Sequence, residues 1–140
     1  MKLCELEEIL NECWDKSTSS DPDKWTPENP AWGQCAVTSV IVQDYFGGEI
    51  VWAEVNIKDN PKYQKPISHY FNNIQEREID LTRKQFPPET YIPKGIEKKK
   101  EFPTTRDYVL SYEPTMERYL LLKERVEKFR EYENNKKSQC

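Results

Sequence analysis

From Gly33 to Phe46 the chain runs without a proline, and Ala36, Val37, Val40, Ile41, Val42, Tyr45 and Phe46 place apolar groups around most of a helix's circumference. A helix that is apolar on nearly every side cannot lie on a surface, so the remaining residues must enclose it. Gly47-Gly48 marks its end, since glycine readily takes the left-handed conformation that stops helices. The chain has 140 residues, 36% of them apolar, which suffices for one modest core and predicts a single domain over residues 1–140 built around this helix. Four Trp, eight Tyr and five Phe supply large pieces of core surface, while a charged fraction of 33% implies solvated arms.

The flanking segments read as follows. Leu3, Leu6, Ile9, Leu10, Cys13 and Trp14 recur at helical spacing opposite Glu5, Glu7, Glu8 and Glu12, an amphipathic first helix. Pro22, Pro27 and Pro30 keep the chain turning until Trp32, with Trp25 and Trp32 pinning that loop to the core. Glu49 to Asn56 is rich in β-branched and aromatic residues and reads as a strand, followed by a turn at Lys58-Asp59-Asn60-Pro61. Ile67–Asn72 and Arg77–Leu81 are two short strands. Joined by a four-residue loop from Asn73 to Glu76, they would set His69 opposite Asp80 on one face. The proline-rich stretch around Glu97-Lys98-Lys99-Lys100-Glu101 reads as an irregular, partly mobile surface segment. Tyr119, Leu122, Val126 and Phe129 define a last amphipathic helix that opens near Pro114-Thr115 and frays at Asn134–Lys137.

Cys35 opens the central helix, where unpaired backbone N–H groups and the positive end of the helix dipole favour thiolate over thiol. His69 is the only histidine, and Asp80 follows it. Cysteine, histidine and acid in that order fit the nucleophile, base and orienter of a cysteine hydrolase. The formal net charge of −4 suggests no general affinity for nucleic acid or an anionic membrane. No apolar run reaches the ~20 residues a membrane span needs, and the N-terminus lacks a signal-peptide core, so a cytoplasmic location is expected. Cysteines 4, 13, 35 and 140 are few and widely spaced and are expected to be free thiols. Without Cys-x-x-Cys and with one histidine, no metal or other cofactor is expected.

Trp32-Gly33-Gln34-Cys35-Ala36-Val37-Thr38, Gln43–Gly48, Ser68-His69-Tyr70-Phe71-Asn72, Ile79-Asp80-Leu81-Thr82, Gln85-Phe86 and Arg118–Leu122 resemble the YunG-like family of small bacterial and archaeal proteins. A looser resemblance is to the papain-like fold group, including cell-wall amidases of the NlpC/P60 type. It implies an α+β fold in which a buried helix carrying the cysteine at its N-terminus packs on a small antiparallel sheet, flanked by N- and C-terminal helices. It also implies a catalytic Cys35, His69 and Asp80 and an oxyanion donor, for which Asn29, six residues before the cysteine, and Gln34 are the candidates. Histidine follows cysteine by only 34 residues, so the sheet must be minimal and the cleft shallow.

The chemistry expected of this set is acyl transfer on a peptide or small amide, with Trp25, Trp32, Trp52 and Tyr70 as candidate substrate walls. The competing reading is a non-enzymatic binding module in which the same residues form a buried hydrogen-bond network. A redox-sensing Cys35 is the third, though no resolving cysteine lies near it in sequence.

Overall fold

A computed structural model describes residues 1–57 and 65–134. Helix α1 (Leu3–Cys13) buries Leu6, Ile9, Leu10 and Cys13, spaced three and four apart, and leaves Glu8 and Glu12 exposed. Helix α2 (Cys35–Phe46) is buried continuously from Val37 to Val42 and ends where Gly47 takes a φ of 74°. Strands β1 (Glu49–Val55), β2 (Ile67–Ile74) and β3 (Arg77–Ile79) form one antiparallel sheet in that order. Two helices follow, α3 (Thr105–Leu110) and α4 (Glu113–Glu133), the second burying Thr115, Tyr119, Leu122 and Val126. The class is α+β.

Helix α2 touches β2 on one side and α4 on the other, and α1 packs on α4. The main core fills these junctions with Leu6, Leu10, Val40, Ile41, Leu122 and Val126, all fully buried. Each such side chain contributes about 1.5–3 kcal/mol. Asn72 Nδ2 donates to Ser39 O at 2.9 Å, locking the middle of α2 onto β2.

Because strand side chains alternate, His69 and Phe71 project to the face opposite Asn72. There Val51, Ala53 and Phe71 form a small cluster with Ile92, beside a second one of Trp32, Val55, Ile57 and Phe86. The chain after Phe86 covers this face. At Gly95 an added Cβ would stand 2.3 Å from Val51 Cγ2 and 2.8 Å from Phe71 Cζ, so only glycine permits the approach. Ile96 then pairs with Trp52 on the outer edge of β1, N–H to O at 2.7 and 2.8 Å.

Two expectations need correction. The hairpin has a two-residue turn, Gln75-Glu76, instead of four residues, so Asn72 pairs with Ile79 and Ile74 with Arg77, and His69 has no cross-strand partner in β3. Both turn residues take positive φ, 52° and 66°, the twist that suits a tight hairpin but without the Asn-Gly or Asp-Gly that would announce it. The stretch from Phe86 to Thr104 is irregular and largely exposed, as expected, but it is pinned to the sheet at Gly95 and Ile96 instead of being mobile. Helix α3 was not foreseen; Thr104 caps it by accepting from Asp107 N at 3.1 Å. The expected turn at Lys58–Pro61, the fraying at 135–137 and Cys140 lie outside the described residues.

Candidate active site

The loop before α2 is a set of tight turns, with Trp32 N donating to Asn29 O and Gln34 N to Ala31 O. Gly33 has a φ of 74°, and a Cβ there would meet Ser19 Oγ at 2.2 Å, so the glycine lets the 19–21 segment close against the loop. Ser19 Oγ donates to Trp32 O at 2.8 Å, and Ser20 N to Gly33 O at 2.9 Å. This loop delivers Cys35 as the first residue of α2. The Gln34 side chain makes no capping bond to that helix. Cys35 is 8% exposed, and its Sγ lies 3.8 Å from Ser68 O on β2.

His69, the next residue on β2, is fully buried, stacked on Phe71 with ring centroids 5.3 Å apart and edge-on to Phe86 at 4.9 Å. Its Nε2 meets Asp80 Oδ2 at 2.6 Å, so the histidine and the acid do come together. The contact arises just after β3, where the chain leaves the sheet, and not across the hairpin. Asp80 Oδ1 accepts from Thr82 N at 3.2 Å and Thr82 Oγ1 at 3.3 Å, which fixes the carboxylate. His69 Nδ1 is buried without a hydrogen-bond partner among the described residues. Burial pushes the imidazole's pKa down, but the bond to Asp80 and the neighbouring Cys35 outweigh it and hold it at about 9, against an ordinary 6.5. With Nε2 occupied by Asp80, Nδ1 is the nitrogen left for Cys35.

The two expected oxyanion amides are committed to main-chain carbonyls. Gln34 Nε2 donates to Asp15 O at 3.0 Å from a fully buried position, and Asn29 Nδ2 donates to Gln85 O at 3.0 Å. Of the expected walls, Trp32 is 6% exposed, donates to Asp21 Oδ2 at 3.0 Å and packs in the core. Trp25 is half-buried and donates to Pro30 O at 2.9 Å, inside its own loop. Trp52 and Tyr70 are half-buried cross-strand neighbours, and Trp52 Nε1 donates to Ser68 Oγ. Burial, with smaller pushes from Tyr108 and Cys35, holds the Tyr70 phenol up to about 12.

The sequence reading gave no role to Thr82 and Gln85, both buried. Gln85 Nε2 donates to Thr82 Oγ1 at 3.0 Å, and Gln85 Oε1 accepts from Gly33 N at 3.4 Å. Gln85 therefore joins the Asp80 side of the site to the loop that carries Cys35. The signal available was weak: a lone amide between Lys84 and Phe86. Among the described residues no group of three His, Cys, Asp or Glu could hold a metal ion, and no helix is long and apolar enough to cross a membrane.

Comparison with known proteins agrees with the resemblance drawn from the motifs. A relative from Bacillus subtilis (strain 168), "Uncharacterized protein YunG", is 37% identical over 78 residues, 56% of this chain and 57% of its own. The chain thus spans little more than half the length of that relative. No solved structure matches it. The YunG protein family matches residues 2–131, a span that contains Cys35, His69, Asp80, Thr82 and Gln85, and the chain belongs to that family.

Proposed function

We propose that this chain is a cysteine hydrolase that cleaves a peptide or small amide bond through Cys35, His69 and Asp80, on a minimal papain-like core. The observation that carries this reading is the state of His69: one ring nitrogen is held by Asp80 at 2.6 Å while the other, buried beside Cys35, has no partner among the described residues. Leaving a buried polar atom unpaired costs about 1–3 kcal/mol, a cost that is understandable where the atom must exchange a proton.

In this mechanism Cys35 Sγ attacks the acyl carbon. The oxyanion is stabilised by backbone N–H groups at the start of α2, one such donor being worth ~3 kcal/mol. The His69 imidazolium gives its proton to the departing amine as the C–N bond breaks. Water then attacks the thioester, its proton passes to His69, and the acid leaves as the Cys35 thiolate and His69 imidazolium are restored. Asp80 orients the ring throughout. The proposal takes residues 1–140 as one cytoplasmic domain.

The test is the alkylation rate of each cysteine by iodoacetamide at neutral pH, read by mass spectrometry. Cys35 should outpace the exposed Cys4 despite its burial, and His69→Ala should slow it by about tenfold or more with the fold retained. A Cys35 no faster than the buried Cys13, whose thiol burial pushes up to about 11, would favour a binding module. The near-complete burial of Cys35 and His69 is what speaks for that second reading.

A further inference from the structure

Helix α2 covers only part of the sheet face on which it lies. Asn72 and Ile50 sit under it, whereas Trp52, Ser68 and Tyr70, which share that face by strand alternation, lie at the level of its first residue and are half-buried or exposed. This half-face, which α2 leaves open and α3 borders, begins at the sulfur, since Ser68 O is 3.8 Å from Cys35 Sγ. A cation stands over it. Lys98 Nζ lies 3.8 Å from the centre of the Trp52 ring, in the range of a cation–π contact. The lysine is placed by its backbone: Ile96 is hydrogen-bonded in both directions to Trp52, and Lys98 N donates to Thr105 Oγ1 at 3.1 Å. Lys98 is half-buried and makes no ion pair among the described residues, while the adjacent Lys99 pairs with Glu97.

A lysine held over an indole keeps its outward ammonium hydrogens for an acceptor, and with no carboxylate of the described residues taking that place, an incoming one can. We infer that the substrate is an amide bearing a free carboxylate, bound with that carboxylate on Lys98 and the intervening stem on Trp52 and Tyr70, its acyl carbon at Cys35. Glu54, exposed and paired with Ser68 across the strands, lies at the far end of the same half-face and repels an anion there, so the carboxylate is directed to the Lys98 side. This inference rests on the hydrolase reading of Cys35.

Two alkylating reagents of nearly equal size separate the claims. Iodoacetate and iodoacetamide both form an S–C bond at Cys35 as iodide leaves, and they differ in a carboxylate, which Lys98 draws in on the approach to the sulfur. In the wild type, the ratio of iodoacetate to iodoacetamide rates should be higher at Cys35 than at Cys4. Lys98→Gln should lower the Cys35 ratio by about threefold, Lys98→Arg should preserve it, and high salt should reduce it in the wild type. His69 is the same in all three proteins, so its charge cancels in the comparison. Selective, His69-dependent alkylation of Cys35 with a ratio indifferent to Lys98→Gln overturns the carboxylate inference and leaves the hydrolase reading standing. Absence of selective alkylation by either reagent overturns both. Should Lys98→Gln melt early, the wild-type salt dependence decides, and a ratio that salt does not move counts against the carboxylate site.

Discussion

The contact between His69 and Asp80 makes the charge of a fully buried imidazole depend on one carboxylate that is itself 15% exposed. A ring whose pKa stands at about 9 in the folded protein and 6.5 otherwise binds its proton more tightly when folded. The stability this supplies is therefore complete below 6.5 and is lost as the pH rises through about 9. Asp80→Asn should cost a few kcal/mol in urea unfolding at the acid end of that window, and the gap to wild type should narrow as the pH climbs through it. A gap of constant size across the window would show that the ring is neutral. The three residues of the constellation could be picked out in the sequence because their types are rare or well placed: a sole histidine, a cysteine at a helix start, an acid shortly after the histidine. Thr82 and Gln85 could not, because their meaning lies in contacts such as Gln85 to Gly33, 52 positions apart.

At the level of elements, the hairpin and the segment that crosses the second face carry the next tests. Gln75 and Glu76 both hold left-handed backbone, which costs a residue with a Cβ roughly 1–2 kcal/mol. The double change Gln75→Asn with Glu76→Gly should stabilise the fold by about 1 kcal/mol in urea unfolding without altering Cys35 reactivity. Gly95→Ala should do the opposite, by about 1–3 kcal/mol, because Val51 and Phe71 must give way beneath it. Gln85→Ala should leave Gly33 N without its acceptor and remove the donor to Thr82 Oγ1, which keeps its bond to Asp80, costing about 1–3 kcal/mol and slowing Cys35 alkylation through the loop before α2. The boundaries of α1, α2, β1 and α4 were legible because burial imposes a period on the sequence, 3.6 or 2, or removes polarity altogether as in α2. Register was not legible, since a two-residue turn built from glutamine and glutamate shows none of the usual turn chemistry.

Over the whole molecule, α2 is held between the sheet and α4, and its first residue is the proposed nucleophile. What the sequence hid was the cover of the opposite sheet face, because an irregular segment fixed by one glycine and one pair of backbone hydrogen bonds has no period to detect. That cover has a consequence for how the protein could change over time. The same short run, Gly95 to Lys98, seals the apolar layer at one end and at the other hangs its ammonium over the half-face that α2 leaves open. Insertions there would shift seal and ammonium together, so a new preference for substrate is more accessible by exchanging the side chain at position 98 than by lengthening the strap that bears it.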